Sequence, residues 1–210
     1  MKTRVKTAKG RKNSSTRWLQ RQLNDPFVLK AKKEGYRSRA AYKLLDIDEK
    51  FKVLKQGLQV IDLGAAPGGW TQVALKSGCK VTAIDLTEIE PITGAHIIQG
   101  DFLDDEVYAQ VQKNFDIVMS DMAPPTTGHK QTNHLQIMNL VESAYAFAKE
   151  YLNEGGVFIS KIFQGGGDKE FMLDLKLNFE KAKFFKPSSS RKDSTEMFVV
   201  ATGFKGRAAE

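Results

Sequence analysis

The alternation of short β-rich runs with helical runs constrains the fold of this chain most. The β-rich runs cover residues 60–63, 81–85, 97–99, 115–120, 157–163, 183–185 and 196–200. Helical segments separate most of them. Alternation of this kind is typical of a parallel sheet that is covered by helices on both faces. The sequence therefore predicts an α/β protein.

The connection between the last two β-rich runs adds a second constraint. Only the segment "KPSSSRKDST" joins Phe185 to Glu196, which is too short for a helical crossover. A connection this short requires the last two strands to be antiparallel. We therefore predict a mostly parallel seven-stranded sheet with a reversed last strand. This is the layout of the Rossmann-like, S-adenosylmethionine-dependent methyltransferase fold.

Length and composition indicate one cytoplasmic domain. The chain has 210 residues, of which 41% are hydrophobic, enough for one sizeable core. It contains no apolar run that could span a membrane and no hydrophobic segment typical of a secretion signal. Its single cysteine, Cys79, is expected to be a packing residue. We expect a monomer that does not associate with membranes.

Positive charge is concentrated at the N-terminus. Residues 1–43 contain 14 basic and two acidic side chains, a net charge of +12, whereas the remainder carries −5. A basic segment on a mildly acidic body is typical of a protein that binds a polyanion such as nucleic acid. We divide the chain into a basic, flexible arm at 1–16 and one domain at 17–210. Within that domain, residues 17–57 form a helical segment predicted to face RNA.

The first β-rich run ends in a glycine-rich loop, "DLGAAPGGW". Gly64, Gly68 and Gly69 would let the backbone turn tightly and approach a ligand closely. The spacing differs from the G-x-G-x-x-G fingerprint of dinucleotide-binding proteins, and the chain has no G-x-x-x-x-G-K-[ST] loop. The loop therefore argues against a nicotinamide dinucleotide and against a nucleoside triphosphate.

Acidic residues follow the next two β-rich runs. Asp85 lies where a carboxylate accepts hydrogen bonds from ribose hydroxyls. Asp101 could accept a hydrogen bond from the adenine amine, and Phe102 could line the base pocket. Each acid alone could be an ordinary turn or capping residue, but their positions at successive strand ends favour a nucleoside cofactor. S-adenosylmethionine is the candidate that remains.

The fourth and fifth β-rich runs and the start of the last one contribute charged residues to the same predicted edge. They are Asp121 in "SDMAPPTTG", Lys161 in "SKIFQGGG" and Glu196. The motif at Asp121 lacks the aromatic residue of amino-group methyltransferases, and Cys79 lies at the wrong end of the sheet for cytosine C5 chemistry. An oxygen acceptor is left. No metal is required.

Lys161 is unusual because it lies within an apolar run. An unpaired buried ammonium is costly, so such a lysine either reaches solvent at the strand end or is retained for function. Because Lys161 falls near the carboxyl end of its strand, we expect its burial to be partial. Glu196 alone could be an exposed residue at the start of a strand.

The motifs together resemble the FtsJ/RrmJ family of 2'-O-ribose methyltransferases, which act on large-subunit ribosomal RNA. The resemblance extends from "SSTRWLQRQL" through "VIDLGAAPGGWTQ" and "SDMAPPTTG" to "PSSSRKDSTEMFVVATGF". It implies a Lys-Asp-Lys-Glu catalytic tetrad formed by Lys43, Asp121, Lys161 and Glu196. It also implies cofactor contacts at Gly68, Trp70, Asp85, Asp101 and Asp121. The implied substrate is a uridine of 23S ribosomal RNA in the 50S subunit.

The expected reaction is an in-line attack of a ribose 2'-oxygen on the methyl group of S-adenosylmethionine. Lys161 would take the proton or aim the hydroxyl lone pair, and these alternatives stay open. Asp121 would orient Lys161, while Lys43 and Glu196 would hold the ribose and tune the charges. Two other functions remain: 2'-O-methylation of transfer RNA or another RNA, and a non-catalytic role in ribosome assembly.

Overall fold

Seven strands form one sheet in the computed structural model, which describes residues 13–111, 114–124, 130–163, 168–191 and 193–206. The strands are β1 (Gln59–Leu63), β2 (Lys80–Asp85), β3 (Ala95–Gln99), β4 (Phe115–Ser120), β5 (Leu152–Phe163), β6 (Phe179–Phe185) and β7 (Glu196–Phe204). Their order across the sheet is β3-β2-β1-β4-β5-β7-β6. Every β-rich run predicted from the sequence is a strand.

The last strand is reversed, as predicted. Strands β1 to β5 pair in parallel, whereas β7 runs antiparallel to both β5 and β6. Glu196 at the start of β7 therefore pairs with Phe163 at the end of β5. The reversal brings the first residue of the last strand to the edge where the parallel strands end.

Seven helices connect and flank the strands in the described residues. They are α1 (Asn13–Leu23), α2 (Pro26–Glu34), α3 (Ala41–Phe51), α4 (Gly69–Lys76), α5 (Asp105–Tyr108), α6 (Lys130–Tyr151) and α7 (Asp168–Asn178). Within the described part of the chain, no helix combines the length and apolarity that a membrane span needs.

Apolar side chains fill both faces of the sheet. In β4, Val118 packs in the cluster that includes α6 and α7 residues, while Ile117 and Met119 point into the opposite cluster with α3 and α4. Successive side chains of a strand point to opposite faces, so a strand that is covered on both sides is apolar throughout. This explains the continuous apolar runs of the sequence. Cys79 is buried in the second cluster, as expected.

The N-terminal helix begins earlier than the sequence indicated. Helix α1 starts at Asn13, so residues 13–16 of the predicted arm are helical. The remainder of the predicted arm, residues 1–12, lies outside the described residues. The N-cap of helix α3 is Ala40, and no side chain caps that helix.

Asp25 joins three parts of the fold. One carboxylate oxygen caps α2 by accepting a hydrogen bond from the Phe27 backbone N–H at 3.0 Å. The other, Oδ2, lies 3.0 Å from Arg39 Nε and 3.2 Å from Arg191 Nη2. Since Asp25 is only 8% exposed, these contacts tie α2 to the segment before α3 and to the loop between β6 and β7.

We expect Asp25→Ala to lower the free energy of unfolding by about 2–4 kcal/mol, because it removes a helix cap and leaves two arginines without their shared carboxylate. Urea denaturation measures this change. Asp104→Ala is the matched control: Asp104 precedes α5, is exposed and makes no side-chain capping bond. Equal effects of the two substitutions would contradict the importance of the Asp25 junction.

Candidate active site

Four charged side chains from four different elements meet at the carboxyl edge of the parallel strands. Lys43 lies in the first turn of α3, Asp121 directly follows β4, Lys161 lies near the end of β5, and Glu196 begins β7. Lys43 Nζ lies 3.2 Å from Asp121 Oδ1 and 2.7 Å from Glu196 Oε2. Lys161 Nζ lies 3.0 Å from Asp121 Oδ1. The structure thus brings together all four residues of the predicted tetrad.

Asp121 is the centre of this group. Its Oδ1 atom contacts both ammonium groups, and its backbone carbonyl accepts a further hydrogen bond from Lys161. Lys43 contacts two carboxylates, whereas Lys161 contacts one. The two lysines therefore occupy different electrostatic environments although they share a partner.

Both lysines are buried, and the expectation of partial burial at Lys161 was wrong. Lys161 is 5% exposed and Lys43 is 7% exposed. Lys161 pairs across the sheet with Phe198 of β7, and the pairing continues to Phe163 and Glu196, so Lys161 lies within the paired part of β5 and not at its free end. The ammonium does not reach solvent because Asp121 supplies its polar contacts within the protein.

The charges within the group shift one another's pKa values. Burial alone would lower the pKa of Lys43, but the adjacent carboxylates of Asp121 and Glu196 outweigh it and raise that pKa above its ordinary value. Burial would raise the pKa of Asp121, but Lys161 and Lys43 hold it below its usual range. Asp121 and Lys43 therefore remain an ionised pair at neutral pH.

Asp62 in β1 is a buried carboxyl that interacts electrostatically with Asp121 of this group. It is 1% exposed, and the Thr71 hydroxyl donates a hydrogen bond to its Oδ2 atom at 2.7 Å. Burial raises the pKa of Asp62 to about 7; the negative charge of Asp121 acts in the same direction, and the Thr71 hydrogen bond opposes it. The folded protein thus keeps a proton on Asp62 at mildly acidic pH.

We expect Asp62→Asn to change how stability depends on pH. Between pH 4 and pH 7 the folded protein binds a proton that the unfolded chain has released, so the wild-type free energy of unfolding falls as pH rises. Asparagine does not titrate. As pH rises from 4 to 8, the difference in free energy of unfolding between the variant and wild type should therefore shift in favour of the variant, by as much as about 4 kcal/mol.

Urea denaturation at several pH values measures this difference. The control is Asp105→Asn, which changes an exposed carboxylate of α5. Parallel pH–stability curves for wild type and Asp62→Asn would contradict the assigned pKa shift.

A cavity of about 610 Å³ opens beside the charged group, along the ends of β1, β2 and β4. Its lining includes five residues that the sequence analysis had selected: Gly64, Asp85, Asp101, Phe102 and Asp121. A volume of this size suits a ligand as large as a nucleoside with a substituent. Because Asp121 lines the cavity and contacts both lysines, the cavity and the charged group form one site.

The two carboxylates at the end of β2 and after β3 also order their own loops. Asp85 accepts hydrogen bonds from the backbone N–H groups of Ala66 and Thr87, at 2.8 and 2.7 Å. Asp101 accepts one from Leu103 at 3.0 Å, in the turn after β3. Asp85 thereby joins the glycine-rich loop to the loop after β2. These bonds fix the carboxylates at the wall of the cavity.

Gly64 is required where the glycine-rich loop leaves β1. Its φ of +72° is in the left-handed region, and a Cβ atom there would lie 2.1 Å from Met122 Cγ. The backbone thus approaches the segment after β4 too closely for any side chain. Gly68, with a φ of +105°, precedes α4 but does not line the large cavity.

Trp70 and Gly69 lie deeper than the large cavity. They line a separate space of about 40 Å³ that Gly64 and Asp121 also border. The Trp70 indole N–H donates a hydrogen bond to the Ala40 carbonyl at 2.9 Å, and its ring lies 5.5 Å from that of Phe198. Trp70 therefore connects α4 to the start of α3, which carries Lys43.

Several lining residues were missed from the sequence. Helix α6 presents Gln136, Asn139 and Ser143 to the cavity, and the exposed side chains of Leu86 and Leu103 lie at its mouth. The α6 residues are spaced three and four apart, which places polar side chains on one helical face. That polar stripe is a signal that sequence reasoning could have used. Gln136 Oε1 is buried without a hydrogen-bond partner in the described structure.

The fold and the cavity define a class of protein. A doubly wound sheet with a nucleoside-sized cavity outside the carboxyl ends of its strands is typical of α/β proteins that bind a nucleoside-containing ligand there. The particular family follows from comparison with known proteins. The profile of the FtsJ-like methyltransferase family matches residues 36–204, and the chain belongs to this family.

Curated relatives are similar over almost the whole chain. A protein of Maricaulis maris named Ribosomal RNA large subunit methyltransferase E is 61% identical, over 97% of this chain and 75% of its own length. A protein of the same name from Azorhizobium caulinodans is 52% identical, over 99% of this chain and 91% of its own length.

A solved structure supports the fold. The crystal structure of a Plasmodium falciparum protein that carries the name ribosomal RNA methyltransferase superposes with a TM-score of 0.73 at 33% identity. The match covers 82% of this chain and all of that one. The predicted methyltransferase fold and family are thus confirmed, while the roles of the individual site residues stay predictions.

Proposed function

We propose that this protein transfers a methyl group from S-adenosylmethionine to a ribose 2'-hydroxyl of a uridine in 23S ribosomal RNA, within the 50S subunit. The observation that carries the proposal is the placement of two buried lysines on one carboxylate, Asp121, at the wall of a nucleoside-sized cavity. The names of the relatives support large-subunit ribosomal RNA as the substrate.

The residues of the cavity suit this methyl donor, which supplies an activated methyl group on a sulfonium when it is bound. Asp85 is placed to accept hydrogen bonds from ribose hydroxyls, and Asp101 to accept one from an adenine amine. The close approach at Gly64 and the unpartnered Gln136 Oε1 are features of a surface shaped for a ligand. We infer that Gly64 and Gly68 in the glycine-rich loop, with Gly69 and Trp70 at the start of α4, form the surface against which the donor lies.

The electrostatic difference between the lysines suggests different roles. Lys43 contacts two carboxylates, which raise its pKa, so it remains an ammonium and is unsuited to accept a proton. We assign to Lys43 and Glu196 the task of holding the ribose and tuning the charges. Lys161, held by Asp121 alone, takes the hydroxyl proton or aims the oxygen lone pair.

Alignment supplies much of the acceleration in this account. Holding two reacting groups in the correct geometry can lower a barrier by about 7–11 kcal/mol. Lys161 and Asp121 lie on β5 and directly after β4, two neighbouring strands of the sheet. A rigid frame of this kind suits an enzyme that must hold a hydroxyl oxygen in line with a methyl group.

The substrate is assigned from charge and from the relatives together. The basic N-terminal residues would contact RNA phosphates. Helices α1 to α3 precede the first strand in the sequence, and the last of them carries Lys43. We propose that a cytoplasmic monomer docks on the 50S particle through this segment.

We expect Lys161→Ala to lower the rate of methyl transfer to undermodified 50S particles by about 100- to 10,000-fold, the usual contribution of a positioned general base. Donor affinity should stay within a few-fold, because Lys161 is not among the residues that line the large cavity. The assay follows transfer of a labelled methyl group and maps the product nucleotide.

Lys183→Ala is the matched control because it removes an exposed strand lysine of β6. Retained activity in Lys161→Ala would contradict its role. If the wild-type protein methylated naked 23S RNA or transfer RNA in preference to 50S particles, that RNA would take the place of the 50S particle as the assigned substrate. If wild type showed no turnover on any of the three, a non-catalytic assembly role would be favoured.

A further inference from the structure

The carboxylate of Glu196 is held at both of its oxygens. Oε2 contacts Lys43 Nζ at 2.7 Å, and Oε1 accepts a hydrogen bond from the Ser190 hydroxyl at 3.0 Å. The backbone N–H of Glu196 donates to the Ser194 hydroxyl at 3.2 Å. The loop between β6 and β7 therefore fixes Glu196 through both its side chain and its backbone.

Ser190 is itself held in place. It is 8% exposed, and its backbone N–H donates to the Pro187 carbonyl at 3.0 Å, within a tight turn. A serine hydroxyl in such a place can donate one hydrogen bond, and here Glu196 accepts it. The donor is thus rigid and aimed at a single acceptor.

The turn that carries Ser190 is anchored to the N-terminal helices. Asp46 of α3 accepts hydrogen bonds from the Ser188 hydroxyl at 2.9 Å and from the Ser189 backbone N–H at 2.8 Å. Arg191 binds Asp25, and Arg39 donates to the Ser189 carbonyl. Residues on both sides of Ser190 are therefore tied to the segment that also carries Lys43.

We propose that Ser190 is a positioning residue: its hydroxyl fixes the Glu196 carboxylate so that the other oxygen meets Lys43. The inference rests on the proposed function of the site, because it adds a residue to the same group. Helix α3 then positions both Lys43 and Glu196. It carries Lys43 directly, and through Asp46 it holds the turn from which Ser190 reaches Glu196.

The physical consequence concerns the last side-chain torsion of Glu196. This torsion has a broad, nearly two-fold energy profile, so a carboxylate with one partner can rotate around it. Two directional contacts on different oxygens remove that freedom. A misplacement of about 1 Å in such a group can cost about 100-fold in rate.

We expect Ser190→Ala to lower kcat for methyl transfer by about 10- to 100-fold, while KM for the donor and the melting temperature change little. Ser190→Thr keeps the hydroxyl, so its kcat should be at least tenfold higher than that of Ser190→Ala. Asp193→Ala is the matched control in the same loop: Asp193 is exposed, and the contacts that hold Ser190 and Glu196 come from other residues. The control should behave as wild type.

A double variant separates positioning from a general effect on the loop. In a Glu196→Ala background, Ser190→Ala should change kcat by less than twofold, because its target is absent. A loss in that background as large as the loss in wild type would overturn the proposal. An unchanged kcat in the Ser190→Ala single variant would also overturn the proposal.

A crystal structure of Ser190→Ala tests the positioning role without an activity assay. Failure of this inference can therefore be distinguished from failure of the proposed function. We expect the contact between Glu196 and Lys43 Nζ to lengthen beyond the 2.7 Å of the wild-type structure. An unchanged Glu196 rotamer with that contact intact would overturn the proposal, whatever RNA the wild-type protein methylates.

Discussion

The contact of one half-buried carboxylate, that of Asp121, with two buried ammonium groups is the interaction on which the rest of this site depends. Lys43 and Lys161 are both almost fully buried, and an uncompensated charge in such a place would cost several kcal/mol or would be neutralised. Asp121 compensates both, and Glu196 adds a second negative charge beside Lys43. The group is therefore stable only as a unit, and its members must come from elements whose positions are fixed relative to one another.

The sheet provides three of these positions, and sequence reasoning could reach them. Asp121 and Lys161 lie near the ends of neighbouring parallel strands, and the short connection before β7 predicts its reversal, which brings Glu196 to the same edge. These are consequences of strand order and direction. Topology alone could not place Lys43, because no strand carries it. Its position depends on how α3 packs against the sheet, which is a matter of side-chain contacts such as that of Trp70 with Ala40.

Other features were misjudged for physical reasons that the sequence does not display. Strand β5 begins at Leu152, earlier than the predicted run at 157–163, so Gly155 and Gly156 lie inside it. The pairing shifts register there: Phe115 pairs with Leu152 and Ile117 with Val157, so the extra residues form a bulge in which Gly155 has a φ of +80°. Lys161 was expected to be partly exposed because it lies near the carboxyl end of its strand, but β5 continues to Phe163 and pairs with β7 over that length. The contact between Ser190 and Glu196 depends on a turn that is held by residues more than 140 positions away, and such contacts are not visible in local patterns.

Asp121 and Glu196 raise the pKa of Lys43 and thereby hold it as an ammonium while the site operates. The most direct measurement is the chemical shift of the Lys43 Nζ nitrogen by NMR at pH 10.5, where a lysine with the ordinary pKa is half protonated. We predict that Lys43 is more than half protonated in wild type, and that the protonated fraction falls in Asp121→Asn, which removes one of the two carboxylates. A neutral amine at Lys43 in the wild-type protein at that pH would contradict it.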